Sequence, residues 1–329
     1  MTYQIKMRIL ALAVLTYAAI ALAVSPEVFF DMIRSYFSQA MVIPVFGSFA
    51  LPIVALVTHP RAPLAFLLDI LRNGGIRLLL VLCGFSIGMA AFTTLKLSIP
   101  DIVPFYADQF LADADAWLHG GNPGDYAHAL VPDWAEYPLG YLYGPVWFMQ
   151  WFALLAFVAL QENAQLRARY FWSMALSVCL IGTVAATAFS SVGPIFYADF
   201  VDPVRFENLM ASIKASAIGD HMAQASGYLL ANFNNYDGGA GTGISAMPSM
   251  HLAVVTLNAC MLASLNRIFG LIAWVYVALI ELGSVFLGWH YALDGYFSIA
   301  VVSLIWWAIG RVSAYAPRHV SSQAEASAA

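Results

Sequence analysis

The sequence predicts an all-α, polytopic membrane protein with about eight transmembrane helices, and three observations carry that expectation. Of its 329 residues, 61% are hydrophobic and only 10% are charged, against about 25% charged in soluble domains. Eight apolar stretches approach or exceed the length needed to cross a hydrocarbon core of ~30 Å at about 1.5 Å per residue. The basic residues between those stretches are strongly biased to one side.

The first stretch, 8–24, follows Lys6 and Arg8. Its Ala21-Leu-Ala23 resembles a signal-peptide cleavage site, but the segment reads as a retained anchor. With the second stretch, 36–57, it forms an N-terminal pair within residues 1–76. Stretches at 77–97, 139–160, 170–190, 248–265, 268–288 and 294–311 make up a second region, 77–311. Residues 312–329 are small and polar and read as a disordered cytoplasmic tail. Eight crossings place both termini on one side. Lys6, Arg8, Arg61, Arg72, Arg77, Arg167, Arg169, Arg267, Arg311 and Arg318 fall there, whereas Arg34, Lys96, Arg205 and Lys214 fall opposite, accounting for all 14. The excess of cations marks the cytoplasmic side. The expected location is the plasma (inner) membrane, with the other face periplasmic or luminal.

Two outer loops are long. Residues 98–138 carry Asp101, Asp108, Asp113, Asp115, Asp125, Asp133 and Glu136 and read as a solvated acidic loop with a short interfacial helix near 105–119. Residues 191–247 hold Gly193-Pro194 and the glycine-rich Asp237–Gly243, and loops of this length commonly act as caps or lids. Cys83, Cys179 and Cys260 lie in apolar runs without metal-ligand spacing and read as small core residues. No basic, aromatic-interleaved patch suggests nucleic acid. No metal or other cofactor is expected.

The chemistry concentrates in Gly243-Ile-Ser-Ala-Met-Pro-Ser-Met-His251 and His290-Tyr-Ala-Leu-Asp294. Both lie at edges of apolar runs, where ionisable groups are costly, and the charge bias puts both at the outer face. His290 and Asp294 share a helix face, so the carboxylate can hold one ring nitrogen and leave the other as a nucleophile. The bland alternative is a structural His–Asp bond. Pro248 and Ser249 introduce a helix whose N-terminus suits a phosphate. Ser249 either caps that helix or contacts a phosphate oxygen. His251, in the first turn, can protonate a leaving alkoxide.

Pro248-Ser-Met-His251 and Gly288-Trp-His-Tyr-Ala-Leu-Asp294 resemble the second and third signatures of the type 2 phosphatidic acid phosphatase (PAP2) superfamily. The resemblance implies a six-helix core over 77–311, a phosphohistidine on His290, support from Asp294 and leaving-group protonation by His251. Two features depart from the phosphatases. Their first signature, Lys-x6-Arg-Pro, is missing where this chain reads Ser190-Ser-Val-Gly-Pro-Ile-Phe-Tyr197, and Gly283 and Ser284 replace a Ser-Arg pair. That pattern is similar to the Aur1-type inositol phosphorylceramide synthase branch. It implies transfer of a phosphorylated headgroup from a phospholipid donor to a lipid alcohol acceptor, with the PAP2-type lipid phosphate phosphatase as the alternative. A phosphodiester carries about one negative charge and a terminal phosphomonoester ~1.5 to 2, so a site without fixed cations favours the diester. Gly243, Ser245, Ser249, Ser284, Tyr197 and Trp289 are the expected substrate contacts.

Glu281 lies deep in an apolar span and reads either as a structural carboxylic acid or as part of a polar pocket. Tyr141, Tyr143, Trp147 and Trp151 read as an interfacial belt, whereas Trp289 and Tyr291 flank His290 and are the aromatic residues expected to touch a ligand. A transporter would need ionisable groups deep in several spans, and only Glu281 is so placed.

Overall fold

A computed structural model of the chain describes residues 3–235 and 242–314. The tail from 315 onward and most of the glycine-rich stretch, 237–241, lie outside the described residues. The described chain is helical, with no strand. Seven helical segments are long and apolar enough to cross a membrane. Their outward faces carry large exposed apolar side chains such as Phe46, Phe49, Leu80 and Val57, as a lipid-facing surface requires and an aqueous one does not.

Helix α1 (Tyr3–Val24) is followed by α2 (Pro26–Ala40) and α3 (Val42–Thr58), which together form one apolar segment. α4 (Pro63–Leu97) has Pro63 in its first turn, where no amide partner is lost, and runs for 35 residues. The first two spans dock against it. Tyr36 of α2 hydrogen-bonds Thr93 of α4 at 2.7 Å, and Tyr17 of α1 reaches Thr183 at 2.5 Å. Three shorter helices follow: α5 (Asp108–His119), α6 (Pro123–Leu130) and α7 (Asp133–Tyr143). α8 (Pro145–Leu160) continues α7 after a break at Gly144. α9 (Ala164–Ala188) is capped by Asn163, which accepts from Gln165 N and Leu166 N, and contains a π-helical turn at Leu180–Ala185. Such turns recur at functional sites, and here Gly182 packs on the Phe92 ring.

Two helices, α10 (Glu207–Ala215) and α11 (Gly219–Asn235), cover the long second loop. α12 (Met250–Leu265), α13 (Arg267–Phe286) and α14 (Ala292–Ala314) close the fold. Only Asn266 separates α12 from α13, capping the latter through Ile268 N and Phe269 N, so the two helices double back on each other. α13 returns the chain to the start of α14, and α12 packs on both. The N-termini of α12 and α14 therefore lie at one end of the bundle, bringing residues 251 and 290–294 together. α12 has 16 residues, about 24 Å at 1.5 Å per residue. It is shorter than the seven membrane-length segments, and its first turn lies on a cavity wall.

The 98–138 segment differs from the expected solvated loop. Its helix α5 falls within the predicted 105–119, but Asp108, Asp115 and Glu136 are buried. Each accepts backbone N–H groups from elsewhere in the fold, which is how a buried carboxylate is made tolerable.

Candidate active site

His290 lies in the short connection between α13 and α14. Gly288, at φ +71°, lets the chain leave α13, and Ser284 O accepts from Trp289 N at 3.0 Å and His290 N at 3.4 Å. Asp294, in the first turn of α14 and fully buried, places Oδ2 3.2 Å from His290 Nδ1 and accepts Tyr291 N at 3.1 Å. A carboxylate on Nδ1 selects the tautomer with its proton there and leaves the Nε2 lone pair free.

The start of α14 is held from a distance in sequence. Asp115 accepts Ala292 N at 3.0 Å and Leu293 N at 3.2 Å, capping α14 with a carboxylate from α5. Asp108 accepts Val192 N at 2.9 Å, Gly193 N at 3.0 Å and the Tyr291 hydroxyl at 2.8 Å. Burial pushes both carboxyls above the ordinary range, and the N–H donors pull against it. The segment from Ser190 to Ile195 links the motif loops. Ser191 accepts Ala246 N through its carbonyl at 2.9 Å and Met247 N through its hydroxyl at 3.0 Å, while Ile195 N donates to Gly288 O at 2.8 Å. This segment, which lacks the cations of the phosphatase signature, serves as a backbone hub.

Gly193 is the tightest point of that hub. Its φ is +87°, and a Cβ there would sit 2.6 Å from Trp289 O. Gly193→Ala should therefore destabilise the fold by more than the ~1–2 kcal/mol of left-handed strain alone and displace the peptide that carries His290. Thermal unfolding of purified variants checks this, and an unchanged transition would refute it.

His251, in the first turn of α12, is clamped between rings. Tyr143 stacks on it at 4.3 Å between ring centroids and 14° between planes, and Trp147 lies at 4.3 Å and 38°. The Trp147 indole also donates to His251 O at 3.1 Å. The His251 and His290 rings are 6.4 Å apart, centre to centre. Both line a cavity of about 610 Å³, large against a phosphate group and mostly walled by aromatic and aliphatic side chains.

Of the expected substrate contacts, Gly243, Ser245 and Trp289 line this cavity. Three do not. Ser249 is buried and its hydroxyl accepts Leu252 N at 3.4 Å, so it caps α12. Ser284 is buried and donates to Glu281 O at 2.8 Å. Tyr197 is buried against Phe206, with ring centroids 5.0 Å apart. The belt reading also needs correction: Tyr143, Trp147 and Trp151 are buried cavity residues, whereas Tyr141 is exposed. Tyr291 faces Asp108 instead of the cavity. Glu281 packs against Gly295, beside Asp294, with no room for a Cβ between them. Sequence reasoning missed the bracing role of Asp108 and Asp115, the rings around His251, and Tyr36 and Gln39 of α2, which reach the cavity wall.

An all-helical membrane bundle with a His–Asp pair beside a second histidine on the wall of a large cavity is suited to phosphoryl transfer. The chain matches the PAP2 superfamily over residues 109–308, more than half of its length, and belongs to that superfamily. No curated protein and no solved structure matches it significantly.

Proposed function

We propose that the protein is a membrane lipid phosphotransferase working through a phosphohistidine, with residues 77–311 as its catalytic region and residues 1–76 as an appended pair of spans. His290 Nε2 attacks the phosphorus of a phospholipid, forming an N–P bond while the P–O bond to the diacylglycerol oxygen breaks. His251 gives that oxygen its proton. A lipid alcohol then attacks phosphorus, returns a proton to His251 and releases His290, so that the headgroup phosphate has changed carriers. Asp294 holds Nδ1 and stabilises the imidazolium that develops.

The observation that carries this reading is the 6.4 Å pairing of the two rings on the wall of a roughly 610 Å³ cavity. Apolar walls and that volume suit lipid chains better than a small phosphate ester alone. The missing phosphatase cations favour transfer between diesters, as in the inositol phosphorylceramide synthase branch. The charge bias supports cytoplasmic termini and a site reached from the outer face. The hydrolytic alternative uses the same residues, with water replacing the lipid alcohol.

The test incubates purified protein with a labelled phospholipid panel, with and without a long-chain alcohol or ceramide-like acceptor. The expected result is label on the acceptor lipid and little free headgroup phosphate. Faster dephosphorylation of phosphatidic acid or a polyprenyl phosphate than turnover of any diester would overturn the transferase reading.

A further inference from the structure

Lys96 stands in the last turn of α4, remote in sequence from both motifs. Among the described residues it is the one lysine or arginine that lines the cavity, and no aspartate or glutamate lines it. Its ammonium is close enough for charge to act between it and His251. Its stem packs close to Gly243, where a Cβ would meet Lys96 Cγ at 3.3 Å and Cδ at 3.4 Å. Gly243 has φ +97°, so the loop leading to His251 closes over that stem through a backbone that favours glycine. The other cations of the long loop, Arg205 and Lys214, do not line the cavity. Arg205 pairs with Asp113 at 2.5 Å, and Lys214 is exposed.

A cation on an aromatic-walled cavity without a protein counter-charge is costly unless a ligand provides one. Among the ligands that the two histidines could act on, the group that does so is a phosphoryl oxygen. We propose that Lys96 is the phosphate-binding cation of this site, and that this single charge selects a phosphoryl group with one net negative charge. Resting on the phosphohistidine reading above, it names lipid phosphodiesters as the donor class. A dianionic monoester would bring a second charge, and among the described residues no further lysine or arginine lines the cavity to meet it. Lys96 then holds a non-bridging oxygen while His290 Nε2 faces phosphorus.

The test is equilibrium binding to the full-length protein of two lipids with identical chains. One is a phosphonate analogue of a phosphodiester lipid, singly charged and unable to transfer; the other is uncharged diacylglycerol. Lys96→Met should weaken the phosphonate about 10- to 100-fold, as expected for one lost charge-assisted contact, and leave diacylglycerol unchanged. Lys96→Arg should keep most of the affinity, and Lys96→Gln, which keeps a polar end without the charge, should behave like Lys96→Met. Undiminished phosphonate binding in the Met or Gln variant, or equal loss for both lipids, would overturn the proposal. A separate outcome bears on the function alone: wild-type protein that binds the phosphonate through Lys96 yet forms no phosphohistidine from a labelled phospholipid leaves the subsite standing and removes the transferase.

Discussion

His290→Ala should abolish the covalent phospho-enzyme and reduce turnover by at least about 10⁴-fold, the scale seen when a nucleophile is removed. His251→Ala should behave differently. Of the two rings, that of His290 is held at Nδ1 by a buried carboxylate, at 3.2 Å from Asp294, which leaves Nε2 to attack. The His251 ring is instead stacked by Tyr143 and Trp147 and lies 6.4 Å from the His290 ring. In the proposed mechanism it serves the leaving-group side of the reacting phosphorus. General-acid catalysis typically contributes about 10²–10⁴-fold, and it becomes dispensable when the leaving group is already a good one. With an activated aryl phosphate donor, His251→Ala should still trap phosphohistidine while His290→Ala traps none. Equal and complete loss in both variants would argue against this division of labour.

What the sequence revealed and what it hid follow from the range of each interaction. Apolar stretches are one-dimensional signals, so the spans could be read directly, and α12 differed in being shorter, with its first turn on a cavity wall. The common end of His251 and His290 also follows from local facts, since two antiparallel connections return the chain to its starting level. Asp108 and Asp115 were less legible because their partners lie far away along the chain: Asp115 caps Ala292, 177 residues on, and Asp108 meets Tyr291, 183 residues on. An acidic run has the same composition whether it is solvated or folded inward to accept backbone amides. An aromatic residue at a span end likewise looks the same whether it stays exposed, as Tyr141 does, or stacks on His251, as Tyr143 does. Ser249 had two available partners, and the cap won because Leu252 N is supplied by the helix itself.

Asp108→Ala should be the most damaging substitution outside the histidine pair. It removes the acceptor shared by Val192 N, Gly193 N and the Tyr291 hydroxyl, all buried. Each orphaned donor costs about 1–3 kcal/mol, so the sum is a large share of a typical stability of ~5–15 kcal/mol. Asp115→Ala strips the cap from Ala292 and Leu293 and should cost less, about 1 kcal/mol on the scale of other helix caps. The two carboxylates hold opposite flanks of the same short segment, one at Tyr291 and the other at Ala292, so the double variant should lose more than either single variant. Asp108→Asn retains one carbonyl oxygen and should fall between wild type and alanine. Thermal unfolding of the purified variants, combined with phosphohistidine yield at a temperature where all remain folded, separates the two effects. An Asp108→Ala protein that unfolds with wild-type protein and labels His290 at the wild-type rate would show that α5 does not brace the site.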